Sequence, residues 1–172
     1  MYNGRKWEIL ERGASAAHAV GPLGWQIMFL GEYTHTIDDK GRLTIPSKYR
    51  PLLQAGLVVT RGPDRCIAVY PMDAWKELVE KIKSLPKTPK PMRQYTRLIF
   101  SAASDLLMDR QGRILIPSVL SRYAEIDSEV IITGMNDRFE IWNPTRWEEN
   151  RTVLEKDEGA ITDDLAEYGI AL

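Results

Sequence analysis

Asp38-Asp39-Lys40-Gly41-Arg42-Leu43-Thr44-Ile45-Pro46-Ser47 is answered, 71 residues later, by Asp109-Arg110-Gln111-Gly112-Arg113-Ile114-Leu115-Ile116-Pro117-Ser118. One Asp-x-x-Gly-Arg arises readily by chance, whereas two in the same ten-residue frame do not, and the echo continues downstream with a small shift. Leu57-Val58-Val59-Thr60 resembles Val130-Ile131-Ile132-Thr133, and Val69-Tyr70 followed by Trp75 resembles Ile141-Trp142 followed by Trp147. Two copies of one unit therefore fill residues 28–150. Strand pairs this short cannot bury both faces alone, so two units must share a core, within the chain or between chains. A pseudo-twofold α+β domain is the economical solution. Association between chains is also expected, and a head-to-tail contact closes into a ring if its rotation permits.

Alternation, turn residues and caps give each copy the same order: strand, tight turn, strand, short helix, two strands and a longer helix. In the first copy Tyr33–Asp38 and Arg42–Ile45 are the opening strands, and Ser47 caps a short helix ending before Gly56. Leu57–Thr60 and Cys66–Tyr70 form a hairpin around Gly62-Pro63-Asp64, followed by a helix from Met72 to about Ser84. Three prolines mark Leu85–Pro91 as the joint between copies, and Met92–Ser101 is a helix leading into the second copy. The last helix starts near Pro144 and runs to about Lys156.

The three residues between Asp38 and Arg42 suit a three-residue hairpin loop, with Gly41 supplying the left-handed position that a side chain resists. Asp38 and Arg42 then face each other across paired strands, the carboxylate orienting the guanidinium while the loop projects both beyond the sheet. Leu43 and Ile45 point to one face and Thr44 to the other, and Ile114 and Ile116 do the same opposite Leu115, anchoring each loop in the core. Read blandly, Asp38–Arg42 and Asp109–Arg113 are surface ion pairs worth roughly 0 to 1 kcal/mol each. Lys40 and Arg110 weaken that reading, because each tip then carries two basic side chains around one glycine. An Arg fork suits guanine O6 and N7 in the major groove, and Lys suits a phosphate, so Arg42 is assigned to bases and Lys40 to backbone.

Composition sets the outer bounds. With 172 residues, 44% hydrophobic and 27% charged, the chain can bury a sizeable core and is neither disordered nor membrane-spanning by default. The weakly charged stretch 13–31 is interrupted by Gly21, Pro22 and Gly24 and suits neither a spanning helix nor a signal sequence, which places the protein in the cytoplasm. Net charge is −1, yet residues 28–147 carry 18 Lys and Arg against 14 Asp and Glu, while residues 148–172 carry 2 against 8. The middle is basic and the tail acidic. Lys81, Lys83, Lys87, Lys90, Arg93 and Arg97 form a run without an intervening acid, a permissive feature for binding a polyanion. A single cysteine, Cys66, read as a small buried apolar residue, and two distant histidines, His18 and His35, argue against a disulfide framework or a metal site. Trp75 and Trp147 occupy equivalent helix positions beside apolar neighbours and read as core anchors rather than base-stacking platforms.

Met28-Phe29-Leu30-Gly31-Glu32-Tyr33, then His35-Thr36-Ile37-Asp38-Asp39-Lys40-Gly41-Arg42-Leu43-Thr44-Ile45-Pro46, resembles the opening of the MraZ family, and the second Asp-x-x-x-Arg with Ile116-Pro117 completes the pattern. The resemblance covers residues 28 to about 150. It implies a pseudo-twofold double swapped-hairpin (AbrB-like) β-barrel core with flanking helices. It further implies a ring-shaped homo-oligomer acting at the nucleoid on double-stranded DNA, at repeated promoter elements ahead of the division and cell-wall gene cluster. By the same resemblance Asp38 and Arg42 define the first DNA-binding motif and Asp109 and Arg113 the second, with Lys40 and Arg110 at their tips, the first copy favoured for base contact, and Thr44, Ser47 and Lys48 as weaker support. The second turn departs from the first, with Arg110-Gln111 where the first has Asp39-Lys40, so the copies need not act equally. The organisation expected is an extension over residues 1–27, a first AbrB-like repeat over 28–84, a linker and connecting helix over 85–101, a second repeat over 102–156 and an acidic tail over 157–172. Residues 1–27, which precede the family's usual opening, are either an arm or an over-extended start.

Two rival classes stand beside a DNA-binding regulator. One is a scaffold whose Asp–Arg hairpins serve assembly, distinguished by weak salt sensitivity. The other is a hydrolase using Asp38, Asp39 or Asp109, but no nucleophile motif, phosphate loop or metal cluster stands beside them, so the expectation is a non-enzyme without cofactor or metal.

Overall fold

The computed structural model describes residues 28–86 and 89–158, so the N-terminal extension, His18, part of the proline-rich joint and most of the acidic tail lie outside the described residues. The architecture is mixed α+β. The first copy supplies β1 (Glu32–Thr36), β2 (Arg42–Thr44), a 3-10 turn at Arg50–Leu53, β3 (Leu57–Arg61), β4 (Ile67–Pro71) and α1 (Met72–Ser84). After α2 (Lys90–Phe100) the second supplies β5 (Ser104–Leu106), β6 (Arg113–Leu115), α3 (Ser118–Tyr123), β7 (Glu129–Gly134), β8 (Phe139–Trp142) and α4 (Pro144–Lys156).

Pairing joins the copies more than it joins neighbours. Six strands form one antiparallel sheet in the order β1-β7-β8-β4-β3-β5, and β2 pairs with β6 in a separate two-stranded ribbon. The first strand of each copy thus lies against the third strand of the other: Thr34 opposes Ile131, and Val58 opposes Asp105. The ribbon is self-equivalent, since Arg42 opposes Leu115 while Thr44 opposes Arg113. These registers map onto one another when each residue is exchanged for its repeat counterpart, which is the signature of an internal twofold relationship.

Strand alternation explains the core. Leu43, Ile45, Ile114 and Ile116 turn inward from the ribbon and are buried, meeting Leu57, Val59, Ile67, Val69, Val130, Ile132, Phe139 and Ile141 from the inner face of the sheet. Tyr49 fills the same cluster, its ring edge-on to Phe29 at 4.9 Å and its hydroxyl donating to the Leu30 carbonyl at 3.0 Å, so the aromatic body and polar tip are both satisfied. The sheet's other face carries Cys66, Ile131 and Trp142, with Trp147 of α4 packed over them, while Trp75 of α1 rests between Tyr70 and Phe100. Both tryptophans anchor helices, as their neighbours suggested, and Cys66 is buried. Among the described residues no helix is long and apolar enough to cross a membrane.

Three local expectations are corrected. The opening strands do not pair as one hairpin: only a single bridge, Ile37 to Leu43, links them before β1 leaves to join β7. Ser47 caps no helix; Arg50–Leu53 is a four-residue 3-10 turn without a side-chain cap, too short before Gly56 to build an α-helical ladder and closed by i→i+3 bonds such as Leu52 N–H to Tyr49 O at 3.1 Å. The connecting helix begins at Lys90 rather than Met92, since Pro91 suits its first turn.

Candidate nucleic-acid interface

Each tip is built by its aspartate. Asp38 accepts two backbone N–H bonds through Oδ1, from Lys40 at 3.0 Å and Arg42 at 2.9 Å, and two from the Arg42 guanidinium through Oδ2, from Nε at 2.7 Å and Nη2 at 2.6 Å. Asp109 repeats this with Gln111 N at 2.9 Å, Arg113 N at 3.0 Å, Nε at 2.8 Å and Nη2 at 2.7 Å. Backbone bonds close both turns: the Gly41 N–H donates to Asp38 O at 2.8 Å and Gly112 to Asp109 O at 2.9 Å, with glycine φ of 77° and 74°. Only glycine adopts that conformation without strain, so the sequence Asp-x-x-Gly-Arg dictates the turn locally.

The arginines are held but not consumed. A guanidinium has five N–H donors, and the aspartate takes Nε–H and one proton of Nη2, leaving Nη1 and the outer Nη2 proton as a free edge. These charge-assisted bonds hold the Asp38 carboxyl well below its ordinary value, at about 2, and push the Asp109 carboxyl down for the same reason. The Arg42 guanidinium is correspondingly raised by its bond to Asp38, with Asp109 also contributing.

The tertiary structure then brings the tips together. On the ribbon Arg42, Thr44, Arg113 and Leu115 share the outer face, Leu43 and Ile114 the inner one. Arg42 and Arg113 are diagonal neighbours, which strand geometry puts roughly 7 to 8 Å apart at Cα. Each loop is also fastened to the other copy: Ile116 N–H donates to Gly41 O and Ile45 N–H to Gly112 O, both at 2.9 Å. Asp38, Lys40, Asp109 and Arg110 are exposed around this face, and Ser47 and Lys48 are exposed just beyond the ribbon. The Asp38–Arg42 and Asp109–Arg113 pairs therefore share the outer side of the ribbon, and Lys40 and Arg110 are exposed on the two turns themselves.

Two further residues adjoin the tips without a motif to mark them. Leu115, 58% exposed between the two arginines, is the residue whose alternation points outward in a run of apolar residues. Arg50 lies against Gly112, with Nε donating to Ile45 O at 2.9 Å. The signal for Arg50 was present as a mismatch between copies, Arg50 standing where the second copy has Ser121. Its charge also helps hold the His35 imidazole below its usual range, after burial as the larger cause. Among the described residues no group of three or more His, Cys, Asp or Glu is placed to hold a metal ion.

Comparison with known proteins gives a consistent result. The family whose description is MraZ protein, an antitoxin-like group, matches twice, at residues 28–98 and 99–163. The chain is 47% identical over 140 residues to a protein of Roseiflexus castenholzii, covering 81% of this chain and 98% of the relative, and 45% identical over 143 residues to one of Moorella thermoacetica, covering 83% and 100%. A relative from Pediococcus pentosaceus is 43% identical over 143 residues, covering 83% and 100%; all three carry the name transcriptional regulator MraZ.

Proposed function

The chain belongs to the MraZ family, and on that premise we propose that it is a sequence-specific DNA-binding transcriptional regulator rather than an enzyme. The observation that carries this reading is the pair of identical Asp-x-x-Gly-Arg tips on one exposed ribbon face, each with a guanidinium edge left open. In the proposed contact Arg42 reads guanine O6 and N7 in the major groove, worth about 1 to 3 kcal/mol of discrimination, while Lys40 and Arg110 engage phosphates. Asp38 and Asp109 act by orienting their arginines, and Arg113 supplies the second contact.

The finer reading follows the family resemblance. Residues 28–84 and 102–156 are two AbrB-like repeats forming a double swapped-hairpin barrel, joined by 85–101 and flanked by the extension and acidic tail. The crossed pairing of β1 with β7 and β5 with β3 supports it. Copies of the chain assemble into a ring at the nucleoid, in the cytoplasm, each presenting its tips to repeated promoter elements of the division and cell-wall gene cluster.

A scaffold function has one observation in its favour: Leu115, exposed between the arginines, suits an apolar protein contact as well as a thymine methyl group. Gel-shift and salt titration of wild type, Arg42→Ala and Arg113→Ala on DNA upstream of the protein's own gene, against scrambled DNA, separates the two. Loss of specific binding in Arg42→Ala, with the oligomer intact by light scattering, is expected. Unchanged specific binding in both variants moves recognition elsewhere, and absence of wild-type binding favours the scaffold.

A further inference from the structure

Beside the first tip a groove of about 660 Å³ opens, with Lys40, Gly41, Leu115, Ser121 and Arg122 in its walls. Ser121 is the repeat counterpart of Arg50, and at the second tip Arg50 occupies the corresponding position with a side chain that reaches the turn. Its guanidinium lies so closely over Gly112 that a Cβ built there would meet Nε at 2.5 Å, Cζ at 2.7 Å and Cδ at 2.8 Å. The Nε bond to Ile45 O fixes this pose, and Ile45 N–H in turn donates to Gly112 O, closing a circuit between Arg50 and the turn. Gly112 is required twice over, for its φ of 74° and for the guanidinium above it. Unlike Arg42 and Arg113, Arg50 has no carboxylate partner among the described residues, so its charge is not compensated locally.

We infer that Arg50 completes a phosphodiester-binding site at the second tip, together with Arg110 and Arg113, so that this tip grips the DNA backbone while the first reads bases. The inference rests on the DNA-binding reading and deepens it. A guanidinium whose Nε is engaged by a carbonyl keeps its two terminal nitrogens in a plane suited to two phosphate oxygens. Three arginines from two copies thus meet at the second turn, with Arg50 laid over Gly112, whereas at the first turn Ser121 stands in the place of Arg50 and the groove beside Lys40 and Arg42, with Arg122 in its wall, stays open. The uneven second turn noted in the sequence is, on this view, a division of labour.

The test measures Kd against salt for wild type, Arg50→Gln, Arg50→Lys and Ser121→Arg, on duplex from upstream of the protein's own gene and on scrambled duplex, with melting curves to check folding. Arg50→Gln is expected to reduce the log–log salt slope by about 0.9, the loss of one phosphate contact, on both duplexes alike. Arg50→Lys restores the slope, which a purely structural role does not permit. Ser121→Arg, placing a guanidinium in the groove beside Gly41, raises the slope by about the same amount and decides the matter if Arg50→Gln does not fold. A wild-type slope in Arg50→Gln or Ser121→Arg, or equal losses in Arg50→Gln and Arg50→Lys, overturns the inference while leaving the DNA reading intact. Failure of wild type to bind either duplex overturns both.

Discussion

Ile116 donates its backbone N–H to the carbonyl of Gly41 at 2.9 Å, fastening the tip of one repeat to the strand of the other. With the reciprocal bond from Ile45 to Gly112, the two turns form one rigid unit whose arginines keep a fixed spacing. Pre-organisation of this kind lowers the ordering cost of binding, because the loops do not have to find their conformation on the ligand.

The two glycines should differ in tolerance. Gly41→Ala forces a side chain into a left-handed conformation, a cost of about 1 to 3 kcal/mol, but its nearest neighbour, Leu115 Cδ1 at 3.5 Å, leaves room for the methyl group. Gly112→Ala adds a collision with Arg50 to the same strain and is expected to be the less stable variant in urea denaturation. Equal midpoints would show that Arg50 moves aside freely.

The Asp38 carboxyl is expected to titrate near pH 2 rather than at its ordinary 3.8. Because the folded value is the lower one, its contribution to stability is complete above the ordinary value and is lost as pH falls toward 2. Carboxyl carbon shifts followed by NMR check this directly. In Arg42→Ala the titration should move back up, since the guanidinium is the leading cause of the depression.

Asn143 should matter to α4 out of proportion to its size. Its Oδ1 accepts from Thr145 N at 2.9 Å and Arg146 N at 3.2 Å, and its Nδ2 donates to Glu125 O at 2.6 Å. Asn143→Ala removes the cap and the tether together, with an expected cost of about 0.5 to 2 kcal/mol in chemical denaturation. Asn143→Asp, which keeps the cap acceptor but loses the tether, should fall between.

Glu140 supplies a pH dependence of the opposite sign. It is 3% exposed, accepting from Trp142 Nε1 at 3.2 Å and Arg138 Nη2 at 3.5 Å, and burial pushes its carboxyl above the ordinary 4.5. A folded state that holds its proton more tightly than the unfolded chain loses stability as pH rises from the ordinary value through the raised one. Glu140→Gln should flatten that part of the stability–pH curve, as measured by urea midpoints; an unchanged curve would assign the dependence to another group.

Much of the local structure was legible in the residues. Pro144 at a first helical position and the Met72–Ser84 pattern place α4 and α1 where they are found, and Gly62-Pro63-Asp64 marks the turn between β3 and β4. Both tips follow from Asp-x-x-Gly-Arg, since an aspartate that can reach the next backbone N–H groups and a glycine free to take positive φ define the turn without outside help. The mismatch of Arg50 with Ser121 was visible in the residues, but its place at the second tip was not, because the contact with Gly112 spans 62 positions and arises only when the copies cross.

The sequence by itself determined the repeat, the turns, the inward faces of the strands and the class of residue at each tip, because these depend on chain neighbours and on alternation. Tertiary structure decided which strands meet. A three-residue strand such as β2 or β6 carries too few side chains to specify a partner, and the pattern of apolar residues is satisfied equally by pairing within a copy or across copies. Crossing lets Leu43, Ile45, Ile114 and Ile116 enter one shared core, and that burial puts Arg42 and Arg113 side by side on one face.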